Sequence, residues 1–408
     1  MPIDRIKIRS FKSIVSQDVD LGALNVFIGT NGSGKSNFLE AVGLVSSAIE
    51  GEVDYTHLSE RGVRLSTPAV FKASFRNIKR KQTFELSASM GALEYAVNIS
   101  AASGGGFEYW SEKLSNEVGH TGRSHRGQNL TFKSDGPIDA DRLEATKGML
   151  PIVELLNKLS DREKSDLRDT AQYAIYSLST PILRGVSPDS SHKEPLGLYG
   201  GSLATALSEI IYDHHANHEE TEILRFFQLL NWFESIGTTE DISPELQSSH
   251  LHTTSRVLRY ADRYMKRSFN NLYAYDVSEG ALYVLFVLVL LLHKKSPNIF
   301  ALDNVDNALN PGLVRSLMTH VNEVLEARPQ KQMFITTHNP TTLDAIDLFN
   351  PRHRLFVVER NDDGHTEINR IKAPEGYTRE KWVERHGGMR LSEIWLSGLI
   401  GGLPREDF

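Results

Sequence analysis

Residues 29–36 read GTNGSGKS, and this stretch decides the fold. It fits the pattern G-x-x-x-x-G-K-[ST], in which a glycine-rich turn wraps around phosphate groups. The apolar run LNVFIG ends at Gly29 and predicts a strand, while the spacing of Phe38 and Leu39 predicts a helix that begins near Lys35. The motif and its strand–loop–helix setting together predict a nucleotide-binding site.

Each residue type in this loop suits a phosphate chain with a bound Mg²⁺. Glycines let backbone N–H groups face the β-phosphate, and the N-terminus of the helix adds positive potential. We expect Lys35 to bridge the β- and γ-phosphates of ATP and Ser36 to ligate Mg²⁺. The residues predicted to bind the nucleotide in this loop are Asn31, Gly32, Ser33, Gly34, Lys35, Ser36 and Asn37.

Three later segments offer further groups for the same chemistry. The apolar run NIFALD ends with Asp303, whose carboxylate is expected to help hold Mg²⁺ opposite Ser36. Upstream, Ser278-Glu279-Gly280 precedes a long apolar helix and directs free N–H groups at an anion, although the same triplet also suits an ordinary helix N-cap. The run FITTHNP predicts a strand ending at His338.

Composition limits the class of protein. The 408 residues are 40% hydrophobic and 24% charged and include no cysteine, which excludes disulfides, thiolate metal sites and a thiol nucleophile. The start, MPIDRIKIRSF, lacks the apolar core of a secretory signal, so we expect a cytoplasmic protein. A net charge of −7 gives no support for DNA as a partner, although a local basic groove is compatible with it.

The most apolar stretch runs from Ala281 to Leu292. It is shorter than the roughly 20 residues that cross a bilayer, so it predicts a buried core helix and no membrane association.

The hydrophobic pattern predicts an α/β protein in three segments. Residues 1–110 contain the phosphate-binding loop and then alternating runs at 68–75, 83–90 and 93–99, which predict an antiparallel sheet ending at a glycine-rich turn. Residues 111–272 are expected to be a mostly helical insertion. In 273–408 helices and strands alternate, which predicts a largely parallel sheet.

Two histidines in the insertion, His214 and His218, lie four residues apart. This spacing can bind a metal ion, but a solvated helix end is the favoured interpretation.

The order of loop, Ser-Glu-Gly triplet, Asp303 strand, Asn310-Pro311 turn and His338 strand resembles the ABC-class ATPases of the RecF/SMC/OLD type. Among these it is most similar to the compact bacterial AAA-family ATPases found in anti-phage defence modules. The resemblance implies an ABC-type P-loop ATPase head, with a mixed sheet plus an antiparallel lobe. It also implies a homodimer or higher homo-oligomer, with ATP between the loop of one subunit and Ser278, Glu279 and Gly280 of another.

The resemblance implies roles for three more residues. His338 takes the position of a switch histidine that contacts the γ-phosphate. Arg9 and Lys12 occupy positions that lie near the nucleotide in similar ATPases, and simple surface charge is an alternative for both.

One position departs from the family pattern. Where the family has Asp-Glu after the strand, this chain has Asp303-Asn304. A neutral amide cannot act as a general base, so Asn304 is expected only to orient the attacking water, with Asp306 or His338 accepting the proton. We therefore expect slow hydrolysis and a long-lived ATP-bound dimer that acts as a switch or scaffold.

The resemblance implies a regulator or scaffold for a separately encoded effector, a nuclease or toxin, in bacterial anti-phage defence. After the last predicted strand about 35 residues remain, fewer than the roughly 50 of a small domain, so we expect effector activity to come from a partner chain. The alternative is a DNA-repair or DNA-structure-binding ATPase.

Overall fold

A computed structural model of the chain describes residues 3–403 except 102–104, 118, 125–126, 133–135, 139–142, 156–158, 213–229, 231, 242–255, 305 and 307. The residues His214 and His218 lie outside the described part. By their contacts the residues form two compact units. Unit 1 comprises Met1–Ile175, Pro297–Leu302 and Arg328–Phe408, and unit 2 comprises Tyr176–Ser296 and Asp303–Ala327.

The strands of the structure are β1 (Arg5–Phe11), β2 (Ile14–Asp20), β3 (Leu24–Ile28), β4 (Thr83–Met90), β5 (Leu93–Ala101), β6 (Phe107–Ser115), β7 (His120–Ser124), β8 (Gly127–Phe132), β9 (Gly136–Ile138), β10 (Ala174–Tyr176), β11 (Phe233–Thr239), β12 (Val257–Asp262), β13 (Asn271–Tyr273), β14 (Ile299–Asp303), β15 (Gln332–Thr336), β16 (His353–Arg360) and β17 (Thr366–Ile371).

The α-helices are α1 (Lys35–Glu50), α2 (Tyr55–Ser59), α3 (Leu150–Leu155), α4 (Asp161–Ala171), α5 (Thr180–Leu183), α6 (Leu203–Tyr212), α7 (Glu279–Leu292), α8 (Pro311–Ala327), α9 (Arg379–Arg385) and α10 (Leu391–Leu396). Two short 3₁₀ helices, Pro68–Phe71 and Pro340–Ala345, complete the helical elements.

A six-stranded mixed sheet holds the phosphate-binding loop, and its strand order is β10-β14-β15-β3-β16-β17. Strand β3 is parallel to both of its neighbours, β15 and β16, while β17 returns antiparallel to β16. All five residues of β3 are buried, as expected for a central strand covered on both faces. The strands of the C-terminal segment thus form the parallel pairs that the alternation of helices and strands predicts.

The second sheet is antiparallel and has eight strands in the order β2-β1-β4-β5-β6-β7-β8-β9. Its pairing of β4 with β5, from Met90↔Leu93 to Thr83↔Ser100, confirms the alternating patterns in that region. The sheet does not end near the glycine-rich turn at 103–106 as expected, because β6 to β9 extend it to Ile138.

The run at 68–75 is not the strand that its pattern predicts. Pro68–Phe71 forms a 3₁₀ helix with the proline in its first turn, where the missing proline N–H costs nothing. Beyond it the chain is extended and Lys72 forms only an isolated bridge with Phe11.

Helix α1 shares one hydrophobic core with residues of both sheets. The ring of Phe27 in β3 packs against Phe38 of α1 and Phe356 of β16, with centroid separations of 4.7 and 4.8 Å. Because each of these rings is fully or almost fully buried, the start of α1 is fixed relative to the end of β3.

Unit 2 contains strands as well as helices. Its three-stranded sheet has the order β11-β12-β13, in a region whose pattern predicts mainly helices. The short, weakly alternating runs in this segment give little signal for strands.

The residues from Ala281 to Leu292 are all buried, which confirms that α7 is a core helix. Among the described residues, none of the helices combines the length and apolar character that spanning a membrane requires.

A lysine is buried in unit 1 and provides a test of the fold. Lys331 precedes β15 and is 4% exposed, and its Nζ donates to the carbonyl oxygen of Pro297 at 3.3 Å. Burial, helped by the like charge of Arg328, lowers the pKa of Lys331 to about 8. In the unfolded chain the same ammonium keeps its ordinary pKa, so between these two values the unfolded state binds more protons.

We therefore expect the free energy of unfolding to rise between about pH 8 and pH 10 through Lys331, by up to about 3 kcal/mol. The variant Lys331→Met removes this rise and is more stable than wild type at pH 7. Urea titrations at several pH values measure both effects, and the exposed Lys381→Met serves as the control. If wild type and Lys331→Met show the same change in the free energy of unfolding over this pH range, the burial of the Lys331 amine is contradicted.

Candidate functional site

The glycine-rich loop lies between the end of β3 and the start of α1, as the motif requires. Lys35 is the first residue of α1, and its Nζ donates to the carbonyl oxygens of Gly29 and Thr30 at 2.8 and 3.0 Å. The lysine is 7% exposed and curls back over the loop. Its ammonium is therefore held where the loop backbone surrounds it, at the N-terminal, positive end of a sixteen-residue helix.

Two glycines of the loop are required by close contacts. Gly29 has φ 146°, and a Cβ atom there would lie 2.0 Å from the carbonyl oxygen of Val358 in the neighbouring strand β16. Gly34, the N-cap of α1, has φ 114°, and a Cβ atom there would lie 2.2 Å from Oγ1 of Thr366. At both positions any side chain would collide with atoms that fix the path of the loop.

Side chains from two segments that are distant in sequence form hydrogen bonds around the loop. The Thr366 hydroxyl donates to the carbonyl oxygen of Ser33 at 2.6 Å and also contacts the Ser13 hydroxyl at 2.7 Å. Asn37 in turn donates to the Ser13 hydroxyl at 2.6 Å. The sequence does not predict Ser13 or Thr366 as site residues, because nothing in the local sequence indicates a contact between residues so far apart in the chain.

Arg360 forms hydrogen bonds that connect the phosphate-binding loop to the β16–β17 turn. Its Nε donates to the carbonyl oxygen of Gly32 at 3.0 Å, and an Nη donates to that of Gly364 in the β16–β17 turn. The carbonyl oxygens of Gly29, Thr30, Gly32 and Ser33 thus all accept hydrogen bonds from side chains.

The loop fits a phosphate group. Ser33 is 1% exposed, and within the described part of the chain its hydroxyl has no hydrogen-bond partner. At Gly32, with φ 76°, a Cβ atom would meet nothing within 4 Å, so there is open space next to the backbone. A buried hydroxyl with no partner, in a loop that is otherwise open at Gly32, is a group that an anionic ligand could satisfy.

A cavity of about 570 Å³ opens beside the loop and is lined by Ser13 and Asn37. Its other polar lining is strongly cationic, and no acidic side chain lines it among the described residues. The cations are Lys12, Arg64, Lys72, Arg80 and Arg360. Lys12 therefore faces this cavity, whereas Arg9 donates to the carbonyl oxygens of Ile8 and Gln17 on the strands.

One buried carboxylate forms ion pairs with two of these cations. Glu40 of α1 is 2% exposed and pairs with Nζ of Lys12 and with Nε of Arg64. Burial lowers the pKa of Lys12 even though Glu40 opposes the shift. Burial and the like charge of Arg80 lower the pKa of Lys72. The cavity thus concentrates more positive charge than Glu40 balances, which favours an anionic ligand.

His338 lies close to the loop in the sheet. Strand β15 ends at Thr336, two residues before the histidine rather than at it, and the Thr337 N–H donates to the carbonyl oxygen of Phe27 at 3.1 Å. Since β15 and β3 are parallel, both end at the same edge of the sheet. The turn is fixed by the Asn339 N–H, which donates to the Thr337 hydroxyl at 2.8 Å.

The Ser-Glu-Gly triplet belongs to unit 2 and begins α7. Ser278 is the N-cap, and its hydroxyl accepts from the N–H of Ala281 at 3.3 Å. The carboxylate of Glu279 accepts a hydrogen bond from the Thr180 hydroxyl. Gly280 has Leu309 and Ala308 at ordinary contact distance from the position of a Cβ atom. Both interpretations of the triplet, helix cap and anion site, are compatible with this geometry.

The residues after the Asp303 strand also belong to unit 2. Asp303 is the last residue of β14, and the Asn304 amide donates to its carboxylate at 3.4 Å. Asn304 has φ 56°, a left-handed backbone that asparagine tolerates better than most residues. Asp306 is buried, with 3% exposure.

Two family models match the chain. Residues 1–91 match an "AAA ATPase domain", and residues 250–344 match an "AAA domain, putative AbiEii toxin, Type IV TA system". The matches cover both regions in which the motifs lie.

Two curated proteins match over a short segment. The chain is 49% identical over 49 residues to the DNA replication and repair protein RecF of Halothermothrix orenii, which is 12% of this chain and 13% of that protein. It is 44% identical over 48 residues to the RecF of Magnetococcus marinus, with the same two shares. The match thus spans about one eighth of the length of these relatives.

Among solved structures, the fold is similar to that of an SMC head bound to the C-winged helix domain of ScpA. The TM-score is 0.50 at 14% sequence identity, over 91% of this chain and 98% of that one. At this identity the likeness concerns the fold alone. The ordered motifs, the two family-model matches and the short RecF match support an ABC-type ATPase of the RecF and SMC type.

Proposed function

We propose that this protein is an ATP-dependent switch that hydrolyses ATP slowly and, as an ATP-bound homodimer, controls a separately encoded effector in anti-phage defence. The observation that carries the proposal is the phosphate-binding loop, in which Gly29 and Gly34 allow the backbone path and Thr366 holds it. The unpartnered Ser33 hydroxyl and the cationic cavity supply the fit to an anion.

ATP would be held in unit 1 by the loop amides and Lys35, with Ser36 as the residue for Mg²⁺. Asp303 is the candidate second support for the metal. When bound, Mg²⁺ neutralises charge on the phosphate oxygens. The protein's own contribution is to place Lys35 and the helix N-terminus so that the triphosphate meets preorganised donors.

Slow hydrolysis is supported by the residue that follows Asp303. The amide of Asn304 cannot take a proton from water, so it can orient the nucleophile but not activate it. Its left-handed backbone, φ 56°, would strain a glutamate by about 1–3 kcal/mol. Asp306 and His338 remain the candidate proton acceptors.

Dimerisation is supported by the form of the α7 N-terminus. Ser278, Glu279 and Gly280 begin a fourteen-residue buried helix, and N–H groups of its first turn carry the positive end of the helix dipole. The hydrogen bond from Thr180 engages the Glu279 carboxylate, the one negative group of that turn. The γ-phosphate of ATP bound by another subunit is the anion that we propose for this helix end.

The defence role is supported by the family model that matches residues 250–344, whose description is "AAA domain, putative AbiEii toxin, Type IV TA system". The RecF match supports the alternative, an ATPase that acts in DNA repair. Under both proposals the nucleotide site works in the same way.

The first test concerns ATP binding. Lys35→Ala removes the ammonium that faces the phosphates, and we expect ATP affinity to fall about 10- to 150-fold, the loss of one charged hydrogen-bonding group. Isothermal titration with ATP and Mg²⁺ measures it, and Lys381→Ala on the exposed helix α9 is the control. Equal affinity of Lys35→Ala and wild type would refute the loop as the nucleotide site.

The second test concerns turnover. We expect phosphate release by wild type well below the usual enzyme range of about 1–10³ s⁻¹. Asn304→Ala should lower it further because the water loses its orienting amide. Comparison of Asp306→Asn and His338→Ala over pH identifies the proton acceptor. Fast turnover that Asn304→Ala does not change would exclude the slow switch.

The third test concerns assembly. Light scattering should show the mass of a dimer in saturating ATP and Mg²⁺ and of a monomer without nucleotide. Ser278→Arg should bind ATP but stay monomeric, since a long side chain blocks the helix end. Wild type that stays monomeric with ATP bound would contradict the dimer. A nuclease-like neighbouring gene product that co-purifies with wild type and less with Ser278→Arg would support the effector role.

A further inference from the structure

The hairpin loop between β12 and β13 displays an unusual surface. Residues 263–269 read RYMKRSF, and all seven are exposed. Three of them are large apolar side chains, with exposed fractions of 79% for Tyr264, 57% for Phe269 and 42% for Met265. Two aromatic rings within six residues of one exposed loop form a surface that folding alone does not require.

The loop is ordered by hydrogen bonds to its own base. The Asp262 carboxylate accepts from the N–H groups of Tyr264 and Met265 at 2.7 and 3.1 Å. The Phe269 N–H donates to the carbonyl oxygen of Lys266 at 2.8 Å, and Arg263 Nη2 donates to that of Phe233 at 2.8 Å. The backbone of the loop thus forms a defined turn, on which both aromatic residues are exposed.

The sheet beneath the loop has its own aromatic core. Tyr260 of β12 is fully buried and packs against Trp232 and Phe233, with ring centroids 5.8 and 5.6 Å apart. Because this cluster already supplies the packing, Tyr264 and Phe269 are not needed to stabilise the sheet.

All of the charged side chains in the loop are cationic. Arg263, Lys266 and Arg267 are cations, and residues 263–269 include no acidic side chain. The nearest carboxylate in sequence, Asp262, is engaged by backbone N–H groups of the loop. The chain as a whole carries −7, so this is a local concentration of positive charge on an acidic protein.

We infer that the loop 263–269 binds single-stranded nucleic acid, with Tyr264 and Phe269 stacking on bases and Lys266 and Arg267 contacting phosphates. Exposed rings interleaved with cations are the two elements that sequence-tolerant recognition of single strands combines. In a duplex the base faces are already stacked, so the rings would find no partner there. Three apolar side chains on a short turn also offer little area for insertion into a lipid surface.

The experiment is fluorescence anisotropy of labelled oligonucleotides of about 20 nucleotides, oligo(dT) and oligo(U), titrated with the full chain. We expect Tyr264→Ala and Phe269→Ala each to weaken binding about tenfold, and Tyr264→Phe to retain it because the ring is kept. The double variant Lys266→Ala/Arg267→Ala should reduce the slope of log affinity against log salt by about 1.4, since two phosphate contacts are lost.

Controls are Tyr55→Ala, an exposed tyrosine of unit 1, and Lys381→Ala, and both should bind as wild type does. Thermal melting shows whether the loop variants are folded. Lys35→Ala tests independence from the proposed ATPase role, because it should bind oligonucleotide normally. The relative affinities for oligo(dT) and oligo(U) show which nucleic acid is preferred.

Three results would overturn the inference. The first is that wild type binds neither oligonucleotide. The second is that the loop variants are folded and bind as tightly as wild type. The third is a loop-dependent interaction with phosphatidylserine vesicles, or self-association, in place of oligonucleotide binding.

Discussion

The close approach of Gly29 to the carbonyl oxygen of Val358 is the constraint on which the rest of the site depends. With no side chain between them, β3 and β16 pair up to the point where the chain turns into the loop. Strand β15 flanks β3 on the other side, so the His338 turn reaches the same edge of the sheet. The aromatic contacts of Phe27 then fix where α1 begins, and with it the position of Lys35.

The electrostatics of this edge follow from the same arrangement. Five cations line the cavity, and the buried carboxylate of Glu40 pairs with two of them, Lys12 and Arg64. Burial lowers the pKa of both Lys12 and Lys72, and the neighbouring cations Arg64 and Arg80 add to these shifts. An anion in the cavity would stabilise the charged forms of these side chains.

The sequence predicts the parts of this protein that depend on local pattern. Strand β3, helix α1, the pair β4 and β5 and the alternation after Tyr275 follow from apolar periodicity, and the loop follows from its motif. The sequence pattern does not predict segments whose conformation depends on tertiary contacts. Pro68–Phe71 alternates like a strand but coils because of its proline, and β11 to β13 carry too weak an alternation to be distinguished from helix.

The same division applies to the candidate site. Lys35 is found from the motif, whereas Ser13, Thr366 and Arg360 contact the loop from parts of the chain that only folding brings near it. A hydroxyl at the start of a strand and an arginine at the end of another have no distinguishing neighbours in sequence. Support of a loop by side chains across a sheet is a property of the sheet register, which one sequence does not reveal.

The backbone at Asn304 limits which residues can occupy this position. In a left-handed conformation asparagine is among the few residues that fit without strain, and glutamate is not. Aspartate tolerates this backbone much as asparagine does, whereas a glutamate would need the turn to be rebuilt together with the side chain. The turn after Asp303 thus restricts this position to short polar side chains, independently of the rate of any reaction at the site.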